Sequence, residues 1–286
     1  MQKTTKALTV SALALGLVAL ATSAIAAPAT SGIASTRHNL GSSNRTAGGA
    51  TTPSSGLARP GDIYTTGTDE ICVFCHTPHA SNTAANAPLW NKALPGTTYT
   101  LYSSGTMQGT ASLSNNNMSL ACLSCHDGTQ AMDNMINKPS TGSPSSAGWN
   151  ATGSRLAGTW FAGTEDAEAS GNTSNGALNA KIYMELGSDL SNDHPVGIPY
   201  CGGGQTGLGN SGCADGDFNA VTQGANAASF TVGADPVVKN RMRLYNTGGG
   251  LSVECGSCHD PHNSEQKTFL RISNSGSAVC LTCHAK

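Results

Sequence analysis

"ICVFCHTPHA", Ile71 to Ala80, contains a complete C-x-x-C-H sequence and one histidine more than that sequence needs. Cys72 and Cys75 are spaced to form thioethers with the vinyl groups of a haem, and His76 to ligate its iron. His79 follows three residues later. On a helical turn, residues three apart leave the same face with Cβ atoms about 5–6 Å from each other. The two axial ligands of one iron approach from opposite faces of the porphyrin, which a single turn cannot reach around. The spacing therefore assigns His79 to a different haem, so that one short turn grips two irons.

The signal repeats. The ten cysteines resolve into four C-x-x-C-H motifs and one left-over pair. The motifs are Cys72-Cys75-His76, Cys122-Cys125-His126, Cys255-Cys258-His259 and Cys280-Cys283-His284. A histidine directly after every second cysteine reads as haem attachment rather than zinc binding. Of the eight histidines, four belong to the motifs, and His38, His79, His194 and His262 remain. They match the four open axial positions one to one, which predicts four covalent haem c groups, each with bis-His ligation. Methionine is the rival axial ligand; Met107, Met118, Met132, Met135, Met184 and Met242 are read here as packing around the porphyrins.

The doubled form "CVFCHTPH" at Cys72 recurs as "CGSCHDPH" at Cys255. Each is followed by a plainer motif, "ACLSCHDG" from Ala121 and "VCLTCHAK" from Val279, so the chain reads as two unequal repeats. On this reading His79 serves the haem on Cys122 and Cys125, and His262 the haem on Cys280 and Cys283. His194 and His38 are left for the haems on Cys72/Cys75 and Cys255/Cys258.

Only 38% of the residues are hydrophobic, with five Phe, six Tyr and three Trp. Such a chain has little apolar surface with which to offset its conformational entropy. Four haem plates tied down by thioethers supply the missing core. The expected fold is that of a multihaem cytochrome c: irregular loops with short α-helices at the haem motifs and little β structure, wrapped around a chain of four haems.

Lys3 and Lys6, the apolar run Ala7 to Ala21 and the small-residue site Ala24-Ile25-Ala26 read as a signal peptide over 1–26. A retained anchor is the alternative, but the run is short for a bilayer span. No later stretch is apolar enough to cross a membrane. Export follows, and residues 27–286 form a single tetrahaem domain: haem pair 1 at about 62–138, a Gly/Ser-rich middle at 139–238, and haem pair 2 at about 239–286. Without Lys3 and Lys6, thirteen of the fifteen basic residues face seventeen acidic ones, a net charge of -4. That mild acidity and the lack of a basic tract argue against nucleic acid. Lys239, Arg241 and Arg243 form one small basic cluster, a solvated loop or a partner for haem propionates.

In the middle segment, "STGSPSSAGWNATGSRLAGTWFAG" reads as loop with a short hairpin around Trp149 and Trp160. His194 precedes Pro195, which disfavours helix and suits an extended ligand loop. Cys201 and Cys213 bracket a Gly-rich loop, and in an exported chain a disulfide is expected rather than two free thiols. Asp215 and Asp217 beside it read as a solvated turn sooner than a calcium site.

The doubled motif together with "APLWNK" (Ala87 to Lys92), "SLACLSCHDGTQAMD", "SNDHPVG" and "ECGSCHDPHN…FLRIS" resembles the outer-surface multihaem cytochromes of metal-reducing bacteria. The four-haem count is most similar to the tetrahaem OmcE-type members, with six-haem members as larger relatives. The resemblance covers the haem-bearing segments and not the Gly/Ser-rich middle. It implies extracellular or cell-surface filaments in which haems stack along the fibre, one axial histidine of each subunit coming from its neighbour. It also implies exchange with outer-membrane cytochromes and extracellular acceptors. His38, near the expected mature N-terminus, matches the neighbour's ligand: a head-to-tail bond to the Cys255/Cys258 haem of the next subunit yields a homopolymer. The expected function is electron transfer without catalysis, because irons saturated by two histidines leave no position for a substrate. A periplasmic shuttle and a multihaem reductase are the alternatives.

Overall fold

Met242-Arg243-Leu244-Tyr245-Asn246 buries its first and third residues and exposes its second, the alternation of a strand with one face against a core. The computed structural model describes residues 32–41, 63–65, 68, 70–130, 132, 134–137, 160–162, 185–210, 212–223, 230–232, 242–263 and 265–285. The expected leader, the hairpin residue Trp149, and Lys239 and Arg241 lie outside them.

Met242–Asn246 (β8) turns through Gly248 and Gly250, both in the left-handed region, into Leu251–Val253 (β9). The turn is closed by Asn246 Oδ1, which accepts the Gly248 N–H at 2.9 Å. Ile198–Pro199 (β5), Val221–Gln223 (β6) and Phe230–Val232 (β7) complete a five-stranded sheet in the order β5-β9-β8-β7-β6, antiparallel throughout. Its inner face buries Ile198, Tyr200, Val221, Val232, Leu244, Leu251 and Val253, with Phe218 and Phe230 packed against them. Cys201 and Cys213 are joined by a disulfide, Cα atoms 5.2 Å apart, and Cys201 belongs to the same core.

Two smaller pairings complete the β structure of the described residues. Ile63–Thr65 (β1) pairs antiparallel with Trp160–Ala162 (β3), and Thr100–Leu101 (β2) pairs parallel with Asp189–Leu190 (β4). Helices are short: Ser119–His126 (α1), Cys255–Cys258 (α2) and Ala278–Cys283 (α3), with a 3₁₀ turn at Cys72–Phe74. Leu120 and Leu123 of α1 pack on Leu190 of β4, which brings the segment carrying His194 beside α1. That segment then meets the sheet at Gly197 (φ 66°), whose N–H donates to the Val253 carbonyl (2.8 Å) and whose carbonyl accepts from Ser112 (2.9 Å). A Cβ on Gly197 would land on the Ser112 carbonyl, so glycine is required there.

The expected fold class is therefore corrected. Loops with little β and a core made only of haem do not describe this chain: a five-stranded sheet supplies a side-chain core of its own. The physical reason is long-range pairing. Ile198 pairs with Val253, and strands of two to five residues need such partners to bury a face. No helix among the described residues is long and apolar enough to cross a membrane.

Candidate haem-attachment sites

The first motif is a 3₁₀ turn held from outside. Cys75 and His76 donate their N–H groups to the Cys72 carbonyl (3.1 and 2.8 Å), and the fully buried Phe74 pins the turn to the interior. The strand-like segment from Pro88 to Lys92 then lies along it. Asn91 N–H donates to the Cys75 carbonyl (2.9 Å), Thr77 N–H to the Leu89 carbonyl (2.9 Å), and His76 pairs with Trp90 in a β-bridge. His76 Nδ1–H donates to the Pro88 carbonyl at 2.7 Å. A carbonyl can only accept, so the proton is on Nδ1 and the lone pair on Nε2, the tautomer an iron ligand needs. Leu89 reaches this geometry with φ 54°, a left-handed conformation unfavourable for a branched side chain.

The third motif uses the same clamp. Arg271 N–H donates to the Cys258 carbonyl (2.8 Å), Asp260 N–H to the Phe269 carbonyl (2.8 Å), and His259 bridges Leu270. His259 Nδ1–H donates to the Thr268 carbonyl at 2.7 Å. Phe269, the counterpart of Leu89, is also left-handed at φ 59°. The two doubled motifs are thus one structural unit used twice, with Pro88-Leu89-Trp90-Asn91 answering to Thr268-Phe269-Leu270-Arg271.

The plainer motifs are held differently. α1, carrying Cys122, Cys125 and His126, begins on Glu254: this buried carboxylate accepts from Asn117 Nδ2, Ser119 N–H and Ser119 Oγ–H. Ser119 Oγ in turn accepts the Cys255 N–H (3.0 Å), and Glu254 caps α2 through Ser257. One side chain therefore starts the helices of the second and third motifs together. The fourth motif, on α3, leans on the loop after the disulfide. Asn219 N–H donates to the Cys283 carbonyl, Ala285 N–H to the Asp217 carbonyl (both 2.8 Å), and Phe218 packs on His284 at 4.6 Å between ring centroids. The segment outside the resemblance thus seats the C-terminal motif. Asp215 and Asp217 serve that loop; among the described residues no three His, Cys, Asp or Glu side chains converge as a metal-binding group.

The Cys201–Cys213 disulfide takes none of the eight motif cysteines. Burial pushes Cys75 and Cys283 up to about 12 and Cys258 up to about 11. The neighbouring Cys255 and burial also hold Cys122 well above the usual thiol range. Sites that penalise a thiolate suit a neutral thioether. Part of each rise comes from a cysteine of the next motif: Cys125 for Cys75, Cys255 for Cys122 and Cys280 for Cys258. A further sign fits a bound haem. The indole N–H of Trp90, edge-on to His76 at 6.3 Å, is buried without an acceptor among the described residues, as a haem carboxylate would provide.

Two of the spare histidines lie against motif histidines other than those that sequence order gives them. His262 was expected beside Cys280/Cys283, but its ring lies parallel to His76, centroids 5.9 Å apart and planes 15° from each other. His38 was expected at Cys255/Cys258, yet its ring lies 6.1 Å from that of His126 of the same chain, with planes at 87°. Burial and the nearby His126 lower His38 to about 4, so it is neutral. Its arm is packed rather than loose: Thr36, Asn39 and Leu40 are buried, and His38 Nδ1–H donates to the Pro261 carbonyl (3.4 Å). His194 is exposed with Nδ1–H on the Pro195 carbonyl (3.0 Å), and His79 is exposed, its carbonyl accepting from Asn137 Nδ2 (2.8 Å). The structure brings neither of these two onto a motif histidine by ring contact. Sequence reasoning missed Pro88, Asn91, Thr268, Arg271 and Glu254.

Comparison with curated proteins finds none that matches this chain. The family model for the doubled CXXCH motif matches residues 249–286, the segment holding the third and fourth motifs. That match supports covalently bound c-type haem and is consistent with a multihaem c-type cytochrome.

Proposed function

We propose that this chain is an exported electron-transfer protein that holds four covalent bis-His haems in series and performs no catalysis. The observation that carries the reading is the clamp built twice, at the first and third motifs, which fixes His76 and His259 through Nδ1 on backbone carbonyls. When bound, haem supplies the one-electron couple. The chain's own residues hold His76 and His259 with Nε2 available, keep Cys75, Cys258 and Cys283 neutral, and half-bury the inner cysteines. Cys72 and Cys280, from the first and last motifs, are the exposed ones, which leaves both ends of the series open to redox partners. Intact mass and peptide mapping of the holoprotein are expected to show four haems, one on each C-x-x-C pair, with all irons low-spin. Fewer haems, or a high-spin iron in the wild type, would refute this reading in favour of a smaller cytochrome or a reductase.

Assembly into an extracellular filament that delivers electrons to outer-membrane cytochromes and extracellular acceptors is part of the proposal. Its route is an exchange of the N-terminal arm: if the contacts that His38 makes within one chain are made to a neighbour instead, they propagate head-to-tail. The neighbour's target is then the Cys122/Cys125 haem rather than the Cys255/Cys258 haem. Negative-stain microscopy of the secreted fraction is expected to show filaments that disappear in His38→Ala. Protein found only as monomer in the periplasm supports the shuttle instead.

A further inference from the structure

His76 and His262 are parallel to within 15°, yet their centroids stand 5.9 Å apart. Two imidazoles stacked in contact would lie at about 3.5–4 Å, the separation of touching carbon atoms. An iron between two Nε2 atoms gives a different spacing: two metal–nitrogen bonds of about 2 Å and two ring radii of about 1 Å bring the centroids to about 6 Å. His38 and His126 show the same separation, 6.1 Å, with planes crossed at 87°.

The polar contacts of these rings agree. His76 Nδ1 is held by the Pro88 carbonyl, His38 Nδ1 by the Pro261 carbonyl, and His262 Nδ1 lies 3.6 Å from the Asp260 carboxylate. Backbone carbonyls and carboxylates on Nδ1 are the partners that orient a metal-bound histidine. In these three rings Nε2 points away from the Nδ1 partner and is the atom left for a metal.

We propose that His76 and His262 are the two axial ligands of the haem on Cys72 and Cys75, and that His126 and His38 are those of the haem on Cys122 and Cys125. This rests on the tetrahaem bis-His reading and adds its pairing. Each bond is donation of an Nε2 lone pair to iron; the Nδ1 protons stay in place and none is released. The first iron then ties the first repeat to the second, because its distal ligand is the spare histidine of the other doubled motif. The two irons also differ electronically. Parallel imidazole planes split the iron dxz and dyz orbitals and give a rhombic ferric signal, whereas crossed planes leave them nearly degenerate and give a strongly anisotropic signal with one large g value.

The oxidised holoprotein is expected to show both kinds of low-spin electron paramagnetic resonance signal. A wild type with all four irons low-spin but of one kind only would overturn the pairing while leaving bis-His ligation intact. High-spin iron in the wild type would instead defeat the underlying reading. The second arm removes one haem at a time. In Cys72→Ala/Cys75→Ala, adding His262→Ala should leave three low-spin irons unchanged, because the iron served by His262 is already gone. In Cys122→Ala/Cys125→Ala, adding His38→Ala should likewise change nothing. One new high-spin iron in either combination would assign that histidine to another haem and overturn the pairing. If a three-haem variant fails to fold, the wild-type spectrum alone still decides.

Discussion

Asp260 stands between the backbone clamp of the third motif and the ring of His262. Its carboxylate lies 3.3 Å from Arg271 Nη1 and 3.6 Å from His262 Nδ1, and its N–H donates to the Phe269 carbonyl. The His262 side chain beside it and, after it, the Arg271 guanidinium hold Asp260 at about 2 against the opposing effect of burial. A carboxyl depressed on folding stabilises the native state fully above its unfolded value of about 3.9 and loses that contribution as pH falls through the folded value. Stability measured by denaturant titration is therefore expected to drop between about pH 4 and about pH 2, and Asp260→Asn to lose that segment of the drop. An identical acid profile in wild type and variant would show that the carboxylate contributes nothing. At this scale the haem attachments are legible in the sequence because C-x-x-C-H is local covalent chemistry. The clamps are not. Pro88 and Thr268 act through a backbone oxygen that every residue possesses, so their side chains carry no trace of the role.

Among the elements, the disulfide loop shows how much a few backbone positions decide. Gly204 (φ 78°) and Gly212 (φ 90°) face each other, and a Cβ on either would land on the carbonyl of the other. Gly204→Ala combines a left-handed alanine with a backbone clash that cannot relax by side-chain rotation, an expected cost of about 2–4 kcal/mol. Gly207→Ala, a few residues on, meets nothing within 4 Å and serves as the control. Thermal melts should show a lowered midpoint for the first and little change for the second; equal midpoints would mean that the loop is not held as described. The loop's importance is legible only in part. Cys201 and Cys213 announce a crosslink, but the sheet around them rests on strands as short as Ile198–Pro199 and on partners far away in sequence. Met242 to Val253 does carry a period-2 hairpin pattern around "NTGGG". Reading the region only as a haem repeat passes over it.

For the whole molecule, the decisive arrangement is the meeting of the two halves at Glu254, where α1 and α2 start on one carboxylate and Cys122 comes near Cys255. Sequence order hides this, because nothing local to "SLACLSCH" points to a residue in the other repeat. The contact has a consequence for biogenesis. In an oxidising compartment two neighbouring thiols are substrates for thiol oxidants, losing two protons and two electrons to form a disulfide. Here such a bond would consume one cysteine from each of two motifs and block two attachments at once. Maturation must therefore thread haem onto at least one of these motifs, or keep a reductant at hand, before the halves close. A chain exported without haem-attachment enzymes is expected to give a Cys122–Cys255 crosslinked peptide on non-reducing mapping, alongside the native Cys201–Cys213 pair, and Cys255→Ser to remove only the former. Recovery of the Cys201–Cys213 link alone from the unloaded wild type would mean that the halves stay apart until they are filled. Timing, on this account, is written into the closeness of two sulfur atoms.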